Sequence, residues 1–141
     1  MNNVLIIYPV VLMIILTLYL YVKNSYEVIK AAKNKIIKYK YFKAYQGEVP
    51  EYIEVLRQTL KNQFELPILF YFLVSLIIFF DNLTIVDLIF AWSFVMFRYI
   101  HCYIRLTSNY LPYRARVFMI GLFILVAAWI NFLISINFFI F

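Results

Sequence analysis

The sequence predicts an all-α integral membrane protein, a four-helix bundle with both termini on the outer side. Three observations carry that expectation. Of 141 residues, 66% are hydrophobic and only 14% are charged, more apolar surface than a soluble domain of this length can bury. The apolar residues gather into four runs, each long enough to cross a hydrocarbon core of about 30 Å. Twelve of the 13 Lys and Arg residues fall within 23–63 and 105–116, and the positive-inside tendency assigns both stretches to the cytoplasmic side. The same distribution argues against nucleic acid as a partner. The net charge is +6, but its carriers sit between apolar runs, where the headgroups of the lipid bilayer are nearer. Neither an internal repeat nor a low-complexity linker divides the chain, so 1–141 reads as one domain.

The first run, Val4 to Val22, holds 19 residues without a charge. Lys23 follows it and only Met1, Asn2 and Asn3 precede it, the reverse of a cleaved leader's charge order, so the segment is expected to remain as a helix. A lysine-rich stretch comes next. In it Tyr26, Ile29, Ala32, Ile36 and Tyr39 share one side of a helix, which extends the first helix to about residue 40. The lysines are scattered round it as a solvated collar. Gly47 and Pro50 mark a break, and Pro50 with Glu51 and Glu54 suits the start of a second helix over about 50–80.

That second helix carries the most informative face. At 100° per residue Arg57, Lys61 and Glu65 fall within about 80° of one another, and Asn62 lies about 60° from Glu65. An ionised side chain at mid-bilayer costs roughly 2.5–3.5 kcal/mol, so this face must look at protein, ligand or water. Pro67 removes a backbone donor and clashes with the carbonyl four residues back, near Gln63. An acceptor freed there, beside Asn62 and Glu65, needs another partner in a membrane.

Asp81 to Thr84 form a short turn without a basic residue, and the third helix is expected over about 84–105, with Asp87 near its start. Glu65 lies 15 residues before Phe80, and Arg98 lies 14 after Thr84. In an antiparallel hairpin both sit about 22 Å from the turn. This depth match pairs Glu65 with Arg98 and puts Asn62 near His101 and Cys102. A Glu65–Arg98 ion pair would by itself explain both residues as assembly groups. Arg98, His101, Cys102 and Arg105 span an arc of about 100°, so the third helix has a polar face too. His101 taken alone suits a hydrogen-bonded packing role, and a lone membrane cysteine such as Cys102 packs. One cysteine excludes an internal disulfide, and one histidine without Cys-x-x-Cys predicts no metal site. The segment Arg105 to Arg116 is the second basic connection, broken by Pro112. Val117 to Phe141 then supplies 25 uncharged residues for a fourth helix over about 116–141.

Asn62-x-x-Glu65 followed by Pro67, and Arg98-Tyr99-x-His101-x-Tyr103-x-Arg105 on the third helix, resemble the MAPEG family, the membrane-associated proteins of eicosanoid and glutathione metabolism. A bacterial branch also shares the run from Asn62 to Tyr71 and the spacing of Arg98, His101, Leu106, Thr107 and Asn109. The resemblance implies a homotrimer in a bacterial inner membrane, with glutathione as co-substrate between subunits and a lipophilic small molecule arriving through the bilayer. The activity it implies is that of a glutathione-dependent transferase or peroxidase acting on lipophilic electrophiles. The family also includes a lipid-binding member that activates a partner enzyme without conjugation, so a non-catalytic lipid-binding or partner-binding role is the second reading.

Carried over by resemblance, Asn62 and Glu65 would hold the polar ends of glutathione, and Tyr99, Tyr103 and Arg105 match the aromatic and basic positions of the family's third helix. Arg57, Lys61, Arg98 and His101 join them as candidates from the polar faces of the second and third helices. The pattern departs at Gln58, where the transferases have arginine, with Arg57 and Lys61 as nearest substitutes. It departs again where those enzymes place a thiolate-stabilising arginine: Asn109 or Tyr110 stands there, and Arg114 and Arg116 are the residues expected to reach back. The chemistry fits such a ligand. A tripeptide with two carboxylates and one amine calls for Arg and Lys on one side and a carboxylate such as Glu65 on the other. Its thiol, of pKa near 8.5, needs a nearby cation to ionise at neutral pH. A four-helix multidrug transporter fits less well, since that class needs a carboxylate on its first helix and Val4 to Val22 has none.

Overall fold

The computed structural model describes residues 3–38, 41 and 48–140, with side chains as far as 136. A 3₁₀ turn, Asn3–Ile6, leads into α1 (Ile7–Lys33); α2 (Glu51–Lys61), a second 3₁₀ turn (Asn62–Phe64), α3 (Leu66–Phe79), α4 (Ile85–Leu106) and α5 (Leu111–Ile140) follow. There is no strand among the described residues. Four stretches are long and apolar enough to cross a membrane: Asn3–Lys33, Glu51–Phe79, Ile85–Leu106 and Leu111–Ile136. At most 39% of any of these apolar stretches is buried within the chain. Their outward surfaces, rich in exposed Ile, Phe, Leu and Val, suit hydrocarbon rather than water.

Helix ends differ from the expected ones for local reasons. α1 stops at Lys33, short of residue 40: Lys35 turns into the left-handed region at φ 58, and Ile36 N donates back to Ala31 O at 2.9 Å. That closure satisfies the last carbonyls of the helix. Tyr26, Ile29 and Ile36 are exposed, while Ala31, Ile37, Tyr41 and Ile53 are buried together. Tyr39 and Gly47 lie outside the described residues. Pro50 stands just before α2 at φ −55, ψ 141, rather than inside it. Pro112 lies in the first turn of α5 rather than breaking the chain, and α5 begins five residues ahead of the expected 116. The first-turn N–H groups of a helix have no intrahelical acceptor, so proline removes nothing there.

One core holds the bundle. Ile6 and Met13 from the first span, Phe70, Leu73, Val74 and Ile77 of α3, Ala91, Phe94 and Val95 of α4, and Leu125, Ala128 and Phe132 of α5 form a single buried cluster. The Phe70 and Phe94 rings lie 5.0 Å apart, a separation typical of favourable aromatic pairs. α4 and α5 make the most extensive helix pair. α4 starts on a capping box: Thr84 Oγ1 accepts from Asp87 N at 3.2 Å, and Asp87 Oδ2 accepts from Thr84 N at 2.9 Å. Asp87, 3% exposed, also accepts from Asn131 Nδ2 at 2.8 Å, pinning α5 to α4. Tyr99 Oη donates to Leu12 O at 2.7 Å and so ties α4 to α1.

Candidate functional site

The second span is not one helix kinked at Pro67 but two helices with a joint. α2 ends at Lys61, Asn62–Phe64 wind as 3₁₀, Glu65 leaves helical geometry at φ −103, ψ −93, and α3 restarts with Pro67 in its first turn. In an uninterrupted α-helix the carbonyl of Asn62 would accept from the N–H of Leu66. Here Arg98 Nη2 donates to Asn62 O at 2.9 Å. The carbonyl that α4 engages is thus Asn62's, whose helical donor would be Leu66, and not the Gln63 carbonyl that Pro67 leaves without a donor. The expected Glu65–Arg98 ion pair does not form. Among the described residues the ion pair is Arg57 with Glu54, at 2.7 Å. The register between the two spans still holds to within a turn, since Gln63 Nε2 donates to Cys102 Sγ at 3.0 Å and Arg105 Nη2 to Gln58 Oε1 at 3.0 Å.

Beside the joint opens a cleft of about 750 Å³, lined by Glu54, Arg57, Gln58, Leu60, Lys61, Asn62, Phe64, Glu65 and Arg105. One wall is a continuous polar chain. Arg57 Nη1 donates to Tyr41 Oη at 2.9 Å and Arg57 Nη2 to Glu54 Oε2 at 2.7 Å. Gln58 Nε2 donates to Glu54 Oε1 at 3.0 Å, and Gln58 Oε1 accepts from Arg105. With the Asn62 amide set to match its neighbours, its oxygen accepts from Arg105 Nη1 at 3.0 Å and its nitrogen donates to Gln58 O at 3.3 Å. Arg105 thus spans two successive turns of the second span through neutral amides. No carboxylate is bonded to it among the described residues, so its charge stays available to an anion. Glu65 and Lys61 are exposed on the same cleft and make no side-chain hydrogen bond with the described residues.

Five of the residues singled out from sequence therefore meet: Arg57, Lys61, Asn62, Glu65 and Arg105. The others take different places. Arg98 and His101, each 2% exposed, sit behind the joint rather than in the cleft wall. Among the described residues Arg98 Nε and Nη1 and His101 Nδ1 have no partner, and the His101 ring packs 5.6 Å from that of Phe118. Tyr103, 70% exposed, lies on the side of α4 that faces α1. Arg114 Nη1 donates to Asn109 Oδ1 at 2.7 Å, so this arginine does fold back, and it lies within electrostatic range of Arg105 and His101. Arg116 is exposed on the first turns of α5. Two working members of the wall, Glu54 and Gln58, were not candidates. The signal for them was present, since Glu54, Gln58 and Asn62 recur at four-residue spacing on one helix face.

Four membrane-length helices, with a polar cleft at an interruption in the second, define a polytopic α-helical membrane protein. Residues 6–134 match the model of the MAPEG family, and the chain belongs to that family. No curated protein and no solved structure gave a significant match.

Proposed function

We propose that the cleft binds glutathione and that the protein is a membrane-bound glutathione-dependent transferase or peroxidase acting on lipophilic electrophiles. The observation that carries this reading is the joint, which puts Lys61, Glu65 and the amide-held Arg105 on one cleft of about 750 Å³. Lys61 and Arg105 suit the two carboxylates of the tripeptide, and Glu65 suits its amine. Arg114, bent back onto Asn109, is the better placed of the two arginines for holding the sulfur as thiolate, because a neighbouring cation favours the ionised form. The thiol proton leaves to water through the open cleft, and the sulfur lone pair forms the bond to the electrophilic carbon as that carbon's π bond breaks onto the electron-withdrawing group, which takes a proton from water, or as a halide departs with its electron pair. In this reading the exposed side of the cleft is completed by a neighbouring copy in a homotrimer. The basic connections face the cytoplasm of a bacterial inner membrane, and both termini lie on the other side.

A second reading is a non-catalytic lipid-binding or partner-binding protein of the same family. Gln58 favours it, since a neutral amide fills the wall position where the family's transferases have arginine. The two separate by adding glutathione to the purified full chain and recording thiolate absorbance and conjugation of a lipophilic electrophile. A saturable thiolate signal is expected, with affinity lowered about tenfold in Glu65→Ala and in Asn62→Ala, the loss of about one charge-assisted bond each. A folded protein with neither signal nor turnover sinks the transferase, and saturable lipid binding in that sample selects the second reading.

A further inference from the structure

On the far flank of Arg105, away from the cleft, two more cavities adjoin. One, of about 420 Å³, is polar and lies between α1, the first turns of α2 and the end of α4. The other, of about 450 Å³, is a mainly apolar groove between α1 and α4. They share Lys23, Leu106 and Thr107, so the groove opens at its Lys23 end into the polar cavity. Towards its other end Tyr99 Oη bonds to Leu12 O at 2.7 Å, which closes α1 against α4.

The order of side chains along α1 is informative. Ile15, Tyr19, Lys23 and Glu27 recur every four residues, about 6 Å per step on one face. Ile15 and Tyr19 line the groove, Lys23 stands at the junction, and Glu27 lines the polar cavity together with Glu51. Travelling along the helix, a ligand meets hydrocarbon, then a cation, then carboxylates. Its own parts must therefore run acyl chain, anion, ammonium.

These charges are also not spent on each other. Lys23 and Glu27 are both half-buried and four residues apart, a spacing at which opposite charges meet on a helix surface. Yet neither they nor Glu51 belong to the ion pair found among the described residues, Arg57–Glu54. Lys23 Nζ lies instead 5.8 Å from the centre of the Tyr19 ring. Arg105, 7% exposed, forms part of the polar wall, and its Nε is buried without a partner among the described residues. Half-buried Lys23 and Glu27, with the exposed Glu51, stand around one cavity without pairing with each other, an arrangement that suits ligand groups of the reverse order between them.

We propose that the two cavities form a single site for a phospholipid with a primary-amine headgroup. An acyl chain lies in the groove, the phosphate meets Lys23 and Arg105, and the ammonium sits between Glu27 and Glu51. A quaternary ammonium has no N–H to donate to these carboxylates, and a glycerol headgroup brings no cation to them, so the site discriminates among lipids of equal chain length. The proposal does not rest on the glutathione reading.

The test uses the full chain, delipidated in detergent and titrated separately with phosphatidylethanolamine, phosphatidylcholine and phosphatidylglycerol of identical acyl chains, with bound lipid counted by native mass spectrometry. One phosphatidylethanolamine per chain is expected, held about tenfold more tightly than the other two. The Glu27→Gln, Glu51→Gln double variant loses the preference but still retains lipid, and Lys23→Met weakens all three lipids. Glu65→Ala, which removes a group of the separate cleft, keeps the preference intact. Equal retention of the three lipids by the unmodified protein overturns the proposal, a comparison that requires no variant to fold; so does a preference that survives in the double variant.

Discussion

Asp87 and Arg98 are opposite charges buried on the same helix about three turns apart, 3% and 2% exposed, and the fold treats them very differently. Both oxygens of Asp87 are engaged, by Thr84 N at 2.9 Å, Thr84 Oγ1 at 2.6 Å and Asn131 Nδ2 at 2.8 Å. Among the described residues Arg98 makes one hydrogen bond, to a main-chain carbonyl, and its Nε and Nη1 have no partner. Nearby, Gln63 Oε1, His101 Nδ1 and Arg105 Nε are also unpartnered. A satisfied buried charge fixes geometry, whereas an under-satisfied one holds its surroundings at higher energy until another group arrives. The difference separates a charge locked by its neighbours from one whose hydrogen-bonding capacity is only partly used among the described residues.

The contrast can be broken by substitution, and the largest effect belongs to the satisfied charge. Asp87→Ala strands the Asn131 amide and the Thr84 N–H and removes the side-chain half of the capping box of α4, so a loss of about 3 kcal/mol is expected in reversible unfolding in detergent. A loss below about 1 kcal/mol would remove Asp87 from that role. Arg98→Met keeps the volume, deletes an under-satisfied charge and leaves the Asn62 carbonyl bare. Its cost should stay within about 1.5 kcal/mol, measured in the same detergent. If it matches Asp87→Ala instead, Arg98 is as structural as its counterpart. The smallest effect is a reference point on α5 that belongs to neither charge's hydrogen bonds. A Cβ at Gly121 of α5 meets Phe97 Cβ at 3.8 Å, an ordinary contact. Gly121→Ala should therefore gain up to about 1 kcal/mol through helix propensity, visible as a small rise in melting temperature, and any loss would show that the α4–α5 contact is tighter than that distance.

Much of this was legible in the sequence because it follows from length and spacing. The four spans come from apolar runs, and the antiparallel register between the second and third comes from counting residues back from the turn. Pro67 announced an interruption of the second span, since proline is tolerated in the first turn of a helix and not in its interior. What escaped was partner choice. The depth match between Glu65 and Arg98 holds only to within a turn, and depth does not fix the direction of a side chain: Arg98 bonds to the Asn62 carbonyl. Asn131 with Asp87 escaped because 44 residues separate them and no local period links them. Pro112 misled because proline has opposite meanings in a helix interior and in its first turn. The end of α1 was hidden by Lys35, a lysine at φ 58 where glycine is the usual signal. Family membership, by contrast, was carried by the short polar motifs of the second and third helices.

The three-residue 3₁₀ stretch before Glu65 also sets a rotational phase. Each of its residues turns the chain about 20° further than an α-helical residue does, so on this count alone α3 begins some 60° away from where α2 would have delivered it. Ile68, Leu69 and Phe72 can then face outward, at 51%, 48% and 56% exposed, while the polar side of α2 keeps its cleft. Adding or deleting one residue between Asn62 and Glu65 would swing the cleft by about 100° relative to the packed half of the same span. Two faces of one transmembrane crossing are thus free to vary independently in side chain, but only while the length of the joint between them stays constant.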